Sequence, residues 1–129
     1  MAGEDITFEW TTSRTIIEIT WGIKNPNFQL MKTSLIYVFG SNTIKTINSG
    51  TGEPGESYKG RISFTGDLTQ KKGAFKITNV QLSDAELYGC SILETGHFTY
   101  TFEWVKLVVV GEYKLSTKYQ RFIHHCLIL

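Results

Sequence analysis

The feature of the sequence that most constrains the fold is a pair of short strands joined by a polar corner between residues 73 and 92. Phe75 and Ile77 alternate with polar residues, as on a strand with one buried face, and Val80 closes this apolar set. Beyond the corner the same alternation returns with Tyr88, Cys90 and Ile92. The pattern predicts two antiparallel strands that turn their apolar side chains towards the same core.

Length and charge limit the classes of protein to which the chain can belong. At 129 residues it has the size of one domain and can bury a core without a metal or several disulfides. Its 13 basic and 12 acidic residues nearly balance, so there is no electrostatic reason to expect nucleic acid or an anionic membrane as a partner. No apolar run is long enough to span a bilayer. We therefore expect any membrane attachment to come from a segment outside this sequence.

The corner carries Asp84, Tyr88 and Cys90 at spacings of four and two, and this phrase resembles strands E and F of a variable-type immunoglobulin domain. In that family the tyrosine hydroxyl bonds back to the corner's backbone, and the cysteine belongs to the inter-sheet disulfide. Residues 61–67 resemble strand D, whose leading arginine pairs with the corner aspartate, so the resemblance implies an ion pair between Arg61 and Asp84. It predicts an all-β, two-sheet antiparallel sandwich over residues 4–111.

The first half of the chain departs from this family pattern at two core positions. Residues 6–10 predict a first edge strand, and residues 15–23 predict a β-branched second strand whose inward residues are Ile17, Ile19 and Trp21. The family's first cysteine belongs on the second strand, and Trp21 holds its place, so we interpret Trp21 as core that replaces a covalent link. On strand C, Tyr37 is the candidate for the tryptophan that the family places there.

Cys90 therefore has no partner on the second strand, and we expect it to be a buried structural cysteine. Cys126 lies beyond the last predicted strand, and we expect no disulfide between the two. Residues 112–129 fall outside the resemblance. They are open to four interpretations: a stalk, the start of a second domain, a membrane-proximal segment, or sequence added in cloning.

The sequence offers little for catalysis or metal binding. His124, His125 and Cys126 are adjacent, but a zinc site needs three or four ligands at workable spacing and no second cluster of Cys or His exists. There is no glycine-rich phosphate loop and no framed pair of carboxylates. We expect a protein that is not an enzyme and that has no cofactor.

A candidate binding surface follows from the alternation of the strands. The predicted strands C, C′ and G lie at about residues 35–39, 43–48 and 102–110. If Leu35, Tyr37, Val105 and Leu107 face the core, the residues of opposite parity face outwards on the sheet made of strands G, F, C and C′. A contiguous apolar patch of this kind usually marks an interface. Its predicted members are Ile36, Val38, Trp104 and Val108, with His97, Phe98 and Tyr100 added by the loop between strands F and G. Two alternatives stay open, namely that the tail covers the patch or that one strand's register is reversed.

The resemblance implies a cell-surface recognition or adhesion domain outside the cell that binds protein partners through the G-F-C-C′ face. Self-association as a homodimer is one option, as in invertebrate allorecognition receptors, which the pattern resembles. A receptor ectodomain that binds its ligand with loops is the alternative within binding. A structural module of a longer extracellular protein is the alternative from another class. The absence of a signal peptide pattern fits a mature domain or a fragment.

Overall fold

A computed structural model describes residues 3–46, 57–110, 114–118 and 126–128. The strands in chain order are β1 (Ile6–Thr11), β2 (Ile16–Lys24), β3 (Met31–Phe39), β4 (Thr43–Thr46), β5 (Ile62–Phe64), β6 (Lys72–Ile77), β7 (Leu87–Glu94), β8 (Thr101–Val110), β9 (Lys114–Lys118) and β10 (Cys126–Ile128). Short 3-10 helices lie at Leu68–Gln70 and Leu82–Asp84. In the part of the chain that is described, no helix has the length and apolar character needed to cross a bilayer.

The strands form two antiparallel sheets that pack face to face. One sheet has the order β10-β1-β6-β5 and the other has the order β4-β3-β2-β7-β8-β9. Alternate side chains of both sheets point into the space between them and form one apolar core. The predicted two-sheet antiparallel sandwich of variable immunoglobulin type is therefore confirmed.

The sheet order corrects the identity of the first four strands. In a variable-type sandwich, strands A, B, E and D form one sheet, and strands G, F, C, C′ and C″ form the other. Here β1 pairs with β6, which pairs with β5, so β1 takes the place of strand B. Similarly, β2 lies between β3 and β7, which is the place of strand C, and β3 and β4 are C′ and C″. The predictions of a first edge strand at residues 6–10 and of strand B at residues 15–23 were therefore wrong, since each segment is the next strand of the family order. Alternation locates a strand in the sequence but does not show which strands it pairs with.

This correction gives Trp21 a different role. Trp21 is fully buried on β2 and lies opposite Cys90 on β7. Its ring stacks on Tyr88 at 5.1 Å between centroids and on Phe75 at 5.3 Å. Trp21 is therefore the inward tryptophan of strand C and not a substitute for the cysteine of strand B. On β1, which takes the place of strand B, the ring centroid of Phe8 lies 5.6 Å from that of Trp21. β1 contains no cysteine.

A register shift near the start of β2 changes which isoleucine is buried. The pairing of β2 with β7 slips between Ile16 and Glu18, so Ile16 is buried while Ile17 is 40% exposed. The sequence predicted Ile17 on the inward face, and this was wrong. Ile19 lies inward as expected and is fully buried. Strict alternation cannot reveal the slip, since a bulge changes parity by one residue.

A second irregularity, in the pairing of β2 with β3, reverses the predicted faces of β3. Trp21 lies opposite Ile36, but the next residue, Gly22, lies opposite Ser34, so Leu35 is the extra residue of a bulge. A Cβ on Gly22 would stand 2.1 Å from the Thr33 carbonyl oxygen, so only glycine permits this close approach of backbones. The bulge therefore depends on a glycine at this position.

Past the bulge, Ile36 and Val38 point into the core and are buried, although the sequence predicted them on the outer face. Tyr37 was predicted in the core as the counterpart of the family tryptophan. It instead lies half-buried on the outer side together with Phe39. The alternative that one strand's register is reversed therefore holds for β3. Leu35 and Ile36 are consecutive and both buried, so the residues after Leu35 have the opposite parity to the one predicted.

The corner below the core contains the ion pair that the resemblance implied. The guanidinium of Arg61 donates to both carboxylate oxygens of Asp84 at 2.8 Å, and the backbone N–H of Gln81 donates to the same carboxylate at 2.8 Å. The hydroxyl of Tyr88 donates to the backbone oxygen of Asp84 at 2.6 Å. These contacts tie the start of β5 and strand β7 to the turn between β6 and β7.

Tyr58 joins this corner, a contact that sequence reasoning missed. The Gly, Ser and Glu content of residues 49–60 predicts a loop or an irregular edge strand, and residues 49–56 lie outside the described part of the chain. Tyr58 is buried, and its hydroxyl lies 2.8 Å from that of Tyr88. Burial raises the pKa of Tyr58 to about 12 and also raises the pKa of Tyr88. A single aromatic residue in a polar stretch gives no periodic signal that could predict its burial.

Two segments of the tail pair with the sheets. β9 lies antiparallel to β8, and β10 lies antiparallel to β1 with Cys126 opposite Trp10. β10 thus stands beside β1 where strand A lies in the family, and β1 is not an edge strand. The side chain of Cys126 lies outside the described part of the chain, so the expectation of no bond to Cys90 stays a prediction. The proposed boundary at residue 111 also stays a prediction.

The corner ion pair can be tested by Asp84→Asn. We expect this change to lower the free energy of unfolding by roughly 3–5 kcal/mol, because it leaves the guanidinium of Arg61 without its buried counter-charge. Urea denaturation measures the effect. Glu86→Gln is the matched control, since Glu86 is exposed in the same corner, and it should change stability by less than about 0.5 kcal/mol. Equal urea midpoints for the two variants would contradict a structural role for the pair.

The pairing of the tail can be tested by truncation after residue 111. We expect a lower urea midpoint than for the full chain, because β1 and β8 each lose a neighbouring strand. Replacing residues 119–125 with a Gly-Ser linker of equal length is the control and should retain the stability, since both strands remain. An unchanged midpoint after truncation would show that neither tail strand stabilises the domain.

Candidate recognition surface

The solvent side of β2, β3, β4, β7 and β8, called here the outer face, carries two rows of aromatic residues. On β3 the rings of Tyr37 and Phe39 stack at 5.1 Å between centroids. On β8 the second row consists of Phe102 and Trp104, both half-buried. The two central strands β2 and β7 separate the rows. The outer face is therefore a shallow trough with aromatic sides.

The trough exists because the central strands carry small residues. Thr20 on β2 lies between Tyr37 and Ser91, and Ser91 lies opposite Phe102. Gly22 and Gly89 follow as the next outward pair. A Cβ on Gly89 would stand 2.5 Å from the Phe102 Cζ atom, so that ring rests directly on the glycine backbone. Larger residues here would fill the trough and lift the aromatic ring.

Glu18 connects the two sides of the trough. Its Oε2 atom accepts a hydrogen bond from the hydroxyl of Tyr37 at 2.7 Å, and its Oε1 atom accepts one from the hydroxyl of Tyr100. Tyr100 belongs to the loop between β7 and β8, so this carboxylate joins a strand to a loop. The hydrogen bond to Glu18 raises the pKa of Tyr37 and of Tyr100, because the neutral hydroxyl donates and an ionised one could not.

Trp104 lies on the outer face, opposite Gly89. The ammonium group of Lys24 is 5.0 Å from the centroid of its ring and donates a hydrogen bond to the Asn25 carbonyl at 2.9 Å. Lys24 is 6% exposed, so the cation and the ring cover each other. Val108 is half-buried further along β8 on the same side, while Val105 and Leu107 face the core.

A cleft of about 430 Å³ opens in the trough. Its sides and floor include Glu18, Thr20, Ser34, Ser91, Tyr100 and Phe102, and residues 29–31 close it on another side. The floor presents hydroxyl groups, Tyr100 and Phe102 supply aromatic rings on one side, and the carboxylate of Glu18 lies among them. This combination of apolar walls and a few polar groups is typical of a binding site.

The loops at one end of the sandwich lie together. Thr95 N donates to the Thr15 carbonyl at 3.0 Å, and Gly40 N donates to the Ile17 carbonyl at 3.1 Å. The first bond joins residues 12–15 to residues 95–100, the B–C and F–G connections of the corrected assignment. The second attaches residues 40–42, the C′–C″ connection, to the start of β2. His97 is exposed in the last loop and Phe98 is 98% exposed. A second apolar contact point therefore stands beside the outer face.

The structure brings some of the predicted contact residues together and separates others. Trp104, Val108 and Tyr100 lie on or beside the outer face, and His97 and Phe98 lie in the adjoining loop. Ile36 and Val38 are buried in the core and therefore do not belong to the contact surface. Sequence reasoning missed Tyr37 and Phe39 as surface residues, since the bulge in β3 could not be foreseen. The alternation of residues 15–23 predicts that Glu18 faces water, but only the fold places it beside two tyrosine hydroxyls.

Within residues 3–46, 57–110, 114–118 and 126–128, no group of three or more His, Cys, Asp or Glu side chains could hold a metal ion. His124 and His125 lie outside these ranges, as does the side chain of Cys126.

Comparison with known protein families gives a match over most of the chain. The family model described as "Immunoglobulin V-set domain" matches residues 2–110. A comparison with curated proteins found no match.

The Glu18 network makes a testable prediction about tyrosine ionisation. The folded-state pKa values of Tyr37 and Tyr100 are raised, so their hydrogen bonds stabilise the fold below the ordinary tyrosine pKa of about 10 and are lost as the pH rises through the higher folded values. NMR of isotope-labelled tyrosine follows each ring. We expect Glu18→Gln to lower both pKa values.

Tyr58 is the internal control, because burial sets its raised pKa of about 12 and Glu18→Gln should leave it unchanged. If the variant shifts Tyr58 as much as Tyr37 and Tyr100, the network is not the cause.

Proposed function

Because the chain belongs to the immunoglobulin V-set family, whose domains are generally extracellular binding modules and not enzymes, we propose that it recognises a protein partner at a cell surface through its outer face. The observation that carries this proposal is the presence of two aromatic rows and a cleft on the same side of one sheet. Aromatic side chains supply large contact areas at little entropic cost and are enriched among the residues that dominate binding energy.

The composition of the outer face supports self-association as the specific form of this recognition. In a twofold dimer the same surface serves both copies and must be complementary to itself. The outer face carries charges of both signs, since Glu18 lies on β2 and the exposed Lys45 lies opposite Tyr37 on β4. Aromatic rows on either side of a trough also allow one copy's row to enter the other copy's trough. We therefore propose homophilic adhesion.

A second candidate is ligand binding by the loops at the end of the sandwich. The specific observation is Phe98, an apolar ring that is 98% exposed at the loop between β7 and β8. Loops on a rigid scaffold are common positions for binding residues. In this case Phe98 would act as the anchor, and the outer face would contribute little.

Trp104→Ala tests the first candidate. Truncation of an aromatic anchor costs at least about 2 kcal/mol of association, or roughly a thirtyfold increase in dissociation constant. Truncation of a large core aromatic would instead cost about 3–5 kcal/mol of folding stability. Since Trp104 lies on the outer face, we expect a folded domain with weakened self-association. Sedimentation over a range of concentrations and urea denaturation measure the two quantities.

Phe98→Ala is the matched control, because it removes an aromatic ring from the loop and leaves the outer face intact. If Phe98→Ala weakens association and Trp104→Ala does not, the loops are the binding site. A wild-type chain that stays monomeric at all concentrations would reject self-association. Ile36→Asp should unfold the domain, since Ile36 is 1% exposed opposite Trp21.

A further inference from the structure

The cleft on the outer face has the chemistry of a subsite for a basic side chain. We propose that it accepts the guanidinium group of an arginine on the protein partner, a proposal that rests on recognition of a protein through the outer face and not on self-association. Of the described residues that line the cleft, Glu18 alone carries a charge. A cationic group that enters would therefore meet one negative charge and no competing cation on the lining.

The carboxylate of Glu18 can still accept hydrogen bonds. Two carboxylate oxygens offer about four acceptor positions, and the hydroxyls of Tyr37 and Tyr100 each occupy one. The remaining positions suit the paired N–H donors of a guanidinium, which binds carboxylates through two parallel hydrogen bonds. The two tyrosine contacts also hold the carboxylate in place, so little side-chain entropy is lost on binding.

The other surfaces of the cleft fit the rest of an arginine side chain. The floor hydroxyls of Thr20, Ser34 and Ser91 can accept from the remaining N–H groups. The rings of Phe102 and Tyr100 can pack against the methylene stem and the flat guanidinium. The outer face already contains one contact of this kind, because the ammonium of Lys24 lies 5.0 Å from the ring centroid of Trp104.

An anionic ligand does not fit the same cleft. It would lie against the carboxylate of Glu18 without a cation among the lining residues to balance it. The hydroxyls of Tyr37 and Tyr100 already donate to Glu18 and cannot donate again. Charge complementarity therefore favours a basic side chain over an acidic one.

The experiment titrates the whole chain with a blocked tripeptide Gly-Arg-Gly and with the same peptide carrying citrulline, which has nearly the same shape without the charge. Amide NMR follows residues that line the cleft. We expect fast-exchange shifts at Thr20, Ser91 and Phe102 with the arginine peptide and none with the citrulline peptide. Glu18→Gln should raise the dissociation constant of the arginine peptide roughly tenfold or more, because a charged hydrogen bond is lost.

Glu86→Gln is the matched control, since Glu86 is an exposed glutamate in the corner beside β7 and does not line the cleft. The spectrum of Glu18→Gln also shows whether the variant is folded. Equal shifts from both peptides, no shifts from either, or an unchanged affinity in folded Glu18→Gln would each overturn the arginine subsite.

The subsite and the proposed function can fail separately. The titration is done at a protein concentration where the chain is monomeric, so it does not depend on self-association. Loss of association in Trp104→Ala together with equal binding of the two peptides would reject the arginine subsite and leave recognition through the outer face supported. Selective arginine binding together with unchanged association in Trp104→Ala would keep the subsite and reject Trp104 as the anchor of the outer face.

Discussion

The stacked rings of Trp21, Tyr88 and Phe75 between the sheets are the contact on which the rest of the structure depends. The centre of this sandwich has no cysteine on β1 to pair with Cys90, and Phe8 packs against Trp21 and Tyr88 there instead. Buried aromatic area stabilises at roughly 25 cal/mol per Å² and stacking adds to it. The aromatic centre therefore links the two sheets by packing where the family commonly uses a covalent bond.

The corner and the centre act through the same residue. Tyr88 stacks on Trp21 with its ring and holds the backbone of Asp84 with its hydroxyl. Asp84 in turn binds Arg61, so the position of the ring in the core fixes the turn and the turn fixes strand β5. A substitution that breaks the corner ion pair should therefore also weaken the packing of the aromatic centre, and the reverse, because contacts within one network are not independent.

The outer face depends on the core through the backbone of the central strands. Trp21 and Cys90 fill the inner side of β2 and β7, while Gly22 and Gly89 follow them on the outer side. Gly22 allows the bulge on β3, and Gly89 leaves room for the ring of Phe102 to pack against the backbone of β7. A trough with aromatic sides results, and Glu18 lies between a strand tyrosine and a loop tyrosine. The geometry proposed for recognition is thus a product of packing on the opposite side of the same sheet.

The sequence by itself determined the sandwich, the corner and the parity of β8. The signals are local there: the phrase from Asp84 to Cys90 has fixed spacings, and Trp104 alternates with Val105 without interruption. Only the tertiary structure decided which strands are neighbours and which side chains of β3 face outwards. One bulged residue at Leu35 reverses the parity of Ile36, Tyr37 and Val38. Its cause is the close approach of two backbones at Gly22, a contact between two paired strands that the alternation within either strand does not record.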